Sequence, residues 1–344
     1  MDGMYGAFVY NWWVDIMSVL YVCEQGCVIR KSGKRILVSR ERKVLQDIPV
    51  AKLERVWLYG NVQLSSQAAA LLLDSGVDVV FLSYGGRMRG HLTGMMSKNI
   101  FLRLAQYERW QDREFKKNFA VNIVRGKIQN MRVMLLRYQR NHPEVDFEVT
   151  LAGLNQGLQS LEEGIRDNSQ LLGIEGHCSH LYFQDLARML RQDLGFTGRK
   201  RRPPTDPVNS LLSLTYTMLS NELACILEAS SFDPYLGFYH GLRYGRSSLA
   251  LDLVEEFRQP LADSHVLSLI NLYIFGPDDF RPGPNGAIYL TDDGFRKFFE
   301  QYEKKVNLTE KGEKASWRDL IIEQVKSLEN CIMNDAPYIP YRGK

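Results

Sequence analysis

The sequence predicts an α+β protein: an N-terminal β-sandwich-like domain with one helix, followed by a larger all-α domain. Three observations carry this prediction. Residues 18–95 read as short β-rich runs separated by turn residues. From about residue 97 the apolar period becomes helical. The balance of 45% hydrophobic to 24% charged residues over 344 positions suits a globular chain with a sizeable core, in one large or two medium domains.

The elements follow in order. Residues 1–16 are aromatic-rich (Tyr10-Asn-Trp-Trp13) but lack a basic start and carry Asp2 and Asp15. They form neither a clean secretory signal nor a bilayer span, and are expected to be an extension outside the core fold. The β domain is expected over 17–96. Strands are read at 18–23, 27–31, 35–39, 43–48, 55–59 and 77–83, and Lys31-Ser-Gly-Lys34 signals a hairpin between the second and third. One helix interrupts at 67–73, capped by Ser65 or Ser66 and followed by Gly76. Tyr84-Gly-Gly-Arg87 reads as a turn into a strand at 88–92.

The helical domain is expected over 97–344. Residues 97–140 contain no proline and predict two helices, or one long helix broken near Gly126. Further helices are read at 155–166, 175–194, 208–228, 248–257, 265–275, 292–305 and 316–333. Residues 199–207, with three prolines, read as a loop. There is no internal repeat.

Net charge is only +3, but its distribution is uneven. Between residues 98 and 140 there are eleven Lys or Arg against three acids, and Arg199-Lys-Arg-Arg202 forms a second basic knot. Clustered cations are the footprint of a phosphate-backbone binder, although a solvated helical face gives the same pattern. From these sets Arg103, Lys127, Arg199, Lys200, Arg201 and Arg202 are candidate DNA contacts. The five cysteines are scattered, with no second pair to complete a zinc framework beside Cys23 and Cys27. The odd count and the lack of a clean secretory signal suit a reducing, cytoplasmic location, and no membrane association is expected.

The chemistry-bearing candidates are Glu175, His240 and Glu255, with Asp252 one helical turn before Glu255. Two carboxylates and an imidazole suit Mg²⁺ or Mn²⁺. Asp252 and Glu255 share a helix face, and two like charges there call for a cation or a raised pKa. Each residue alone has a plain explanation. Acidic helix residues usually point into water, and a lone histidine is usually a hydrogen-bonded structural group. Glu175, read as opening a helix, complements its dipole. Glu175-Gly-His-Cys-Ser-His180 offers a zinc reading through His177 and His180, at spacing that is poor for a tetrahedral site. No P-loop, nucleophile elbow or dinucleotide fingerprint is present.

Four segments in order carry a resemblance. They are Gly173-Ile-Glu-Gly176 with Tyr182-Phe183, and Arg202-Pro-Pro-Thr-Asp-Pro-Val-Asn-Ser-Leu-Leu212 with Tyr216. Gly237-Phe-Tyr-His-Gly241 follows, then Leu249-Ala-Leu-Asp-Leu-Val-Glu255 with Phe257-Arg258 and Asp263. Together, after a β domain, they resemble the CRISPR-associated integrase family (Cas-one) from about Ser18 onward. The chain length and the Arg199–Pro204 run look most like its type I-C branch. The resemblance implies a homodimer built on the β domain. It also implies a divalent metal held by Glu175, His240 and Glu255, with Asp252 as a nearby acid. The family's small second protein (Cas-two) and double-stranded DNA are the implied partners, and joining of 3′-hydroxyl ends of short duplexes to a CRISPR repeat is the implied reaction. Tyr182, Tyr216 and Arg258 become candidates for contact with the DNA. His177 and Cys178 stand where the family usually has small residues, and the first 16 residues are atypical. A stand-alone metal-dependent nuclease, a transposon-type integrase and a non-catalytic nucleic-acid scaffold are the alternatives.

Overall fold

The computed structural model describes residues 8–9, 18–83, 86–94, 99–309 and 315–343. The chain divides into two compact units, one of residues 1–96 with 291–304 and one of 97–290 with 305–344.

The first unit contains two sheets. One has the order β1 (Phe8–Val9), β2 (Ser18–Val22), β6 (Leu53–Tyr59), β8 (Asp78–Leu82), β9 (Met88–Leu92); the other runs β5 (Lys43–Pro49), β4 (Arg35–Arg40), β3 (Val28–Ser32), β7 (Gln63–Leu64). β2, β6 and β8 pair in parallel, so β6 and β8 need a crossover, and α1 (Ser66–Asp74) lies within it. Ser65 caps α1 by accepting from Ala68 N, and Gly76, at φ +70°, supplies the left-handed turn that leaves it. The predicted hairpin joins β3 to β4 through Gly33, at φ +59°. Leu20 and Val56 from one sheet, Ile29 and Val38 from the other, and Leu72 of α1 belong to one buried apolar cluster. Two residues of the expected extension, Phe8 and Val9, pair antiparallel with Tyr21 and Leu20 at the sheet edge. The rest of 1–16, and Tyr84 and Gly85 of the expected turn, lie outside the described residues.

The second unit carries α2 (Ile100–Gln111), α3 (Arg113–Asn141), α4 (Glu148–Glu162), α5 (Asn168–Arg188), α6 (Pro207–Ala229), α7 (Ser248–Phe257), α8 (Ser264–Asn271) and α10 (Trp317–Asn334). It is not purely helical. Gly283–Gly286 turn the chain between β10 (Phe280–Pro282) and β11 (Ile288–Leu290), a small hairpin whose three-residue strands are too short to signal themselves. The helix α9 (Asp292–Val306) divides differently from its place in the chain. Most of it belongs to the first unit, where Phe299 stacks on Tyr21 and Glu303 accepts from the Tyr21 hydroxyl. Among the described residues no helix is long and apolar enough to cross a membrane.

Two boundary differences shape the site. The 97–140 region breaks at Asp112, not at Gly126, because Asp112 ends α2 and its carboxylate accepts from Glu114 N and Phe115 N to start α3. Glu175 does not open a helix either. Asp167 caps α5 by accepting from Gln170 N, so the helix begins at Asn168 and Glu175 stands in its middle, facing its neighbours.

Candidate active site

Three helices and one loop of the second unit bring the candidate residues together. α3 contributes Lys127, α5 contributes Glu175 and Ser179, α7 contributes Asp252 and Glu255, and the loop before α7 contributes His240. α3 packs against both α5 and α7, which is why residues distant in sequence meet.

The histidine is fixed from behind. Asp252 is fully buried. Its Oδ2 accepts from Phe238 N (2.7 Å) and Tyr239 N (3.0 Å), and its Oδ1 accepts from His240 N (2.8 Å). Its Oδ1 also lies 2.8 Å from His240 Nδ1. A carboxylate already serving three N–H donors is an acceptor, so Nδ1 is the donor and Nε2 is left to face outward. Gly237 permits this wrapping, since a Cβ there would lie 2.7 Å from the Ser248 carbonyl carbon and 2.9 Å from Asp252 Oδ2. Asp252 is therefore a positioning group. The two acids are held apart in role: Asp252 serves the loop amides and the His240 ring, and Glu255 pairs with Lys127 and Arg258.

Glu255 is 3% exposed. Arg258 Nη2 lies 2.9 Å from its Oε1, Lys127 Nζ lies 2.6 Å from its Oε2, and His240 Nε2 lies 3.9 Å from its Oε1. Burial alone raises a carboxyl pKa, but the charges of Arg258, Lys127 and His240 outweigh it and hold Glu255 at about 2. Glu175 pairs with the same Lys127 Nζ and accepts from Ser179 Oγ at 2.8 Å, one helical turn away. Burial works against its charge too, and Lys127 prevails, leaving its pKa lowered.

A third layer supports these groups. Pro260 lacks an N–H, so the carbonyl of Glu256, four residues earlier, takes its hydrogen bond from Asn130 Nδ2 instead (2.8 Å). The chain widens there into a π-helical turn, Arg258–Asp263. This turn places Arg258 against Glu255 and over the Tyr216 ring, 4.7 Å from its centroid. Asp263 accepts from the hydroxyls of Tyr216 and, at 3.0 Å, Tyr182. Burial pushes Asp263 up to about 6 despite those two donors.

Several expected DNA contacts are thereby relocated. Tyr182 and Tyr216 are core side chains bound to Asp263, Arg258 is 8% exposed, and Lys127 is 2% exposed. A helical stretch rich in cations does not reveal which of them turns inward. Arg199 also turns in, donating to Asn209 Oδ1 (2.8 Å) and Ser213 Oγ (3.1 Å). Lys200, Arg201 and Arg202 are exposed, and Arg103 is half-buried on α2. A cleft of about 300 Å³ opens beside Glu175, lined also by His180, Arg199 and Arg201. Lys127 between the two carboxylates, and the Tyr216–Asp263–Tyr182 group, were missed by sequence reasoning. Only the Glu255/Arg258 spacing of three carried a local signal.

The donor set fits a hard divalent cation in chemistry. Glu255 is held ionised, and His240 is oriented by a carboxylate as metal-bound histidines are. As the side chains stand, no three His, Cys, Asp or Glu groups among the described residues converge closely enough to hold an ion. The Lys127 ammonium takes the place between Glu175 and Glu255. The zinc reading has no support in the geometry. Cys178 is buried toward α4, where a Cβ on Gly157 would lie 2.5 Å from its Sγ, while His177 and His180 are exposed.

Comparison with known proteins gives the family. The chain is 35% identical over 334 residues to the CRISPR-associated endonuclease Cas1 3 of Thermus thermophilus, covering 94% of this chain and 97% of the relative. Its fold matches a casposase bound to its integration product, with a TM-score of 0.82 at 22% identity over 94% of this chain and 92% of that one. It also matches a chain of a Cas6-RT-Cas1–Cas2 complex, with a TM-score of 0.82 at 24% identity, covering 97% of this chain and 37% of that longer one. The family model for CRISPR associated protein Cas1 matches residues 20–304, and the chain belongs to that family.

Proposed function

We propose that this chain is a metal-dependent DNA integrase and endonuclease of CRISPR adaptation, which joins the 3′-hydroxyl ends of short duplexes to a CRISPR repeat. The observation that carries the reading is one buried ammonium shared by Glu175 and Glu255, with His240 Nε2 3.9 Å from Glu255 Oε1. Family membership narrows phosphodiester chemistry to this system. A structural neighbour bound to its integration product supports joining over simple cleavage.

The reaction exchanges one phosphodiester for another. A bond forms between the attacking 3′ oxygen and phosphorus, the bond from that phosphorus to the target's 3′ oxygen breaks, and the attacking hydroxyl's proton ends on the departing oxygen. No external energy source is needed. Glu175, His240 and Glu255 would hold Mg²⁺ or Mn²⁺, which when bound supplies a Lewis acid for the phosphate and eases loss of the hydroxyl proton. The chain's own part is positioning. Asp252 holds the His240 ring, and Arg258 holds Glu255 in its charged form. The exposed Lys200, Arg201 and Arg202 hold phosphates without reading sequence, beside the cleft at Glu175.

The working assembly is proposed to be a homodimer, with the small second adaptation protein as partner. A complex containing Cas1 and Cas2 among the structural neighbours supports that partner. Assignment to the type I-C branch rests on the Arg199–Pro204 run.

The test is a strand-joining assay with a 3′-hydroxyl duplex, supercoiled repeat DNA and Mn²⁺. His240→Ala abolishes joining while the melting temperature and DNA binding persist, and a chelator stops the wild-type reaction. Wild-type rates from the variant, or DNA binding with no joining under any divalent ion, refute the reading in favour of a scaffold role.

A further inference from the structure

Lys127 is a buried charge at the heart of the site that the proposed chemistry does not use. It is 2% exposed, and its Nζ contacts Glu175 on α5 and Glu255 on α7 together. A lysine buried this far needs a reason, since desolvating an ammonium is costly unless it is paired. The two carboxylates supply that reason. They also need it, because two largely buried carboxylates facing one gap repel each other unless a cation stands between them.

The position is enforced from behind. Gly126, the residue before Lys127, has the side chain of Pro340 against it, so a Cβ there would lie 2.6 Å from Pro340 Cβ. Three residues on, the Asn130 amide donates to the carbonyls of Glu256 (2.8 Å) and Tyr341 (3.0 Å), and its Oδ1 accepts from Gly343 N (2.9 Å). This stretch of α3 is thus clamped between α7 and the C-terminal segment. The helix has little freedom to move, and any adjustment falls to the flexible lysine side chain.

We propose that Lys127 is a built-in counter-ion that takes the divalent cation's place in the metal-free protein and must yield it when the metal binds. The inference rests on the reading that Glu175, His240 and Glu255 hold that cation, and it adds two consequences. Both carboxylates are held on one gap by the ammonium without metal, so metal binding calls for side-chain adjustment and not for bringing distant helices together. Metal affinity is lower than the ligand set alone would give, because a divalent ion gains only the difference between its own attraction and that of the ammonium it displaces.

The experiment compares the wild-type chain with Lys127→Met, a variant of similar length and no charge. In chelator, Lys127→Met melts lower by about 4 °C or more, the scale of a lost buried pairing in a protein of this size. Added Mn²⁺ raises the melting temperature of Lys127→Met by more than it raises the wild type's. By titration calorimetry Lys127→Met binds Mn²⁺ about tenfold more tightly, a change of about 1.4 kcal/mol. A second readout needs no charge-removing variant. The ¹⁵N signal of the Lys127 ammonium, assigned by its absence from Lys127→Arg, shifts on addition of Mg²⁺ to the wild type. Equal or weaker Mn²⁺ binding by Lys127→Met, or an ammonium signal unmoved by saturating Mg²⁺, overturns the inference while leaving the metal reading intact. Failure of both proteins to bind Mn²⁺ at all overturns the inference and the metal reading together.

Discussion

At the residue scale, the dyad of Asp252 and His240 makes the clearest prediction. Asp252 uses both oxygens on three backbone N–H groups and one ring nitrogen, so its hydrogen-bonding capacity is spent on local work. Asp252→Asn keeps the volume but replaces an acceptor with a donor beside the loop amides. The ring of His240 then loses its fixed tautomer and direction. Joining is expected to fall by about 10- to 100-fold, the usual effect of losing a carboxylate that orients a ligand. DNA affinity should be unchanged, and a parallel loss of binding in a filter assay would argue against this role.

Glu256 makes a second residue-scale prediction, in pH. Its carboxyl receives the Tyr338 hydroxyl (2.5 Å) and Tyr341 N, yet burial dominates and raises its pKa from 4.5 to about 8. A raised acid keeps its proton in the folded state while the unfolded chain releases it. Its contribution is therefore full below pH 4.5 and is lost as pH rises toward about 8. Glu256→Gln removes this dependence. The melting temperature of the variant minus that of wild type should grow steadily between those limits. A difference that stays flat across the range would show that the acid is not buried in its neutral form.

At the element scale, α3 owes its place to what packs behind it. Glycine is ordinarily a poor helix residue, and α3 runs straight through Gly126 because the C-terminal segment occupies that side. Asn122 Nδ2 donates to Tyr338 O, adding to the Asn130 clamp. Gly126→Ala in the full chain forces Pro340 away and should cost about 1–3 kcal/mol, as overpacking does. In a chain ending at residue 335 the sign should reverse, because alanine then gains about 1 kcal/mol of helix propensity with nothing to displace. Denaturant midpoints of the four proteins test this. Destabilisation of equal size in both backgrounds would mean that the segment does not lie on α3.

At the scale of the whole molecule, a net charge of +3 conceals a division of labour among cations. Lys127, Arg199 and Arg258 turn inward to pair with acids, amides or rings, and Lys200, Arg201 and Arg202 remain exposed. Replacing the latter three with alanine should weaken DNA binding about equally for all sequences. It should also flatten the slope of log affinity against log salt by about 2–3. An unchanged slope would place the phosphate contacts elsewhere.

The same division marks how far the sequence could be read. Hydrophobic periodicity settles element type, because alternation and the helical period are local properties of the chain. It thus finds the change to helices near residue 97, while turn and capping residues find the hairpin at Gly33 and the cap at Ser65. It fails for β10 and β11, which are too short to show a period, and for the start of α5, where one aspartate cap outweighs two internal glycines. Glu175, His240 and Glu255 were legible as a set only through their order and context. The direction in which a long side chain points is decided by what packs around it. That Asp252 faces a ring of amides, that Tyr182 and Tyr216 share Asp263, and that Lys127 faces two glutamates follow from α3, α5 and α7 meeting in space. The sequence by itself determined the fold class, the family and the candidate ligands, since these rest on pattern. Only the tertiary structure decided which charges are partners, because a buried charge is placed by the neighbours that offset its desolvation, and those neighbours are remote in the chain.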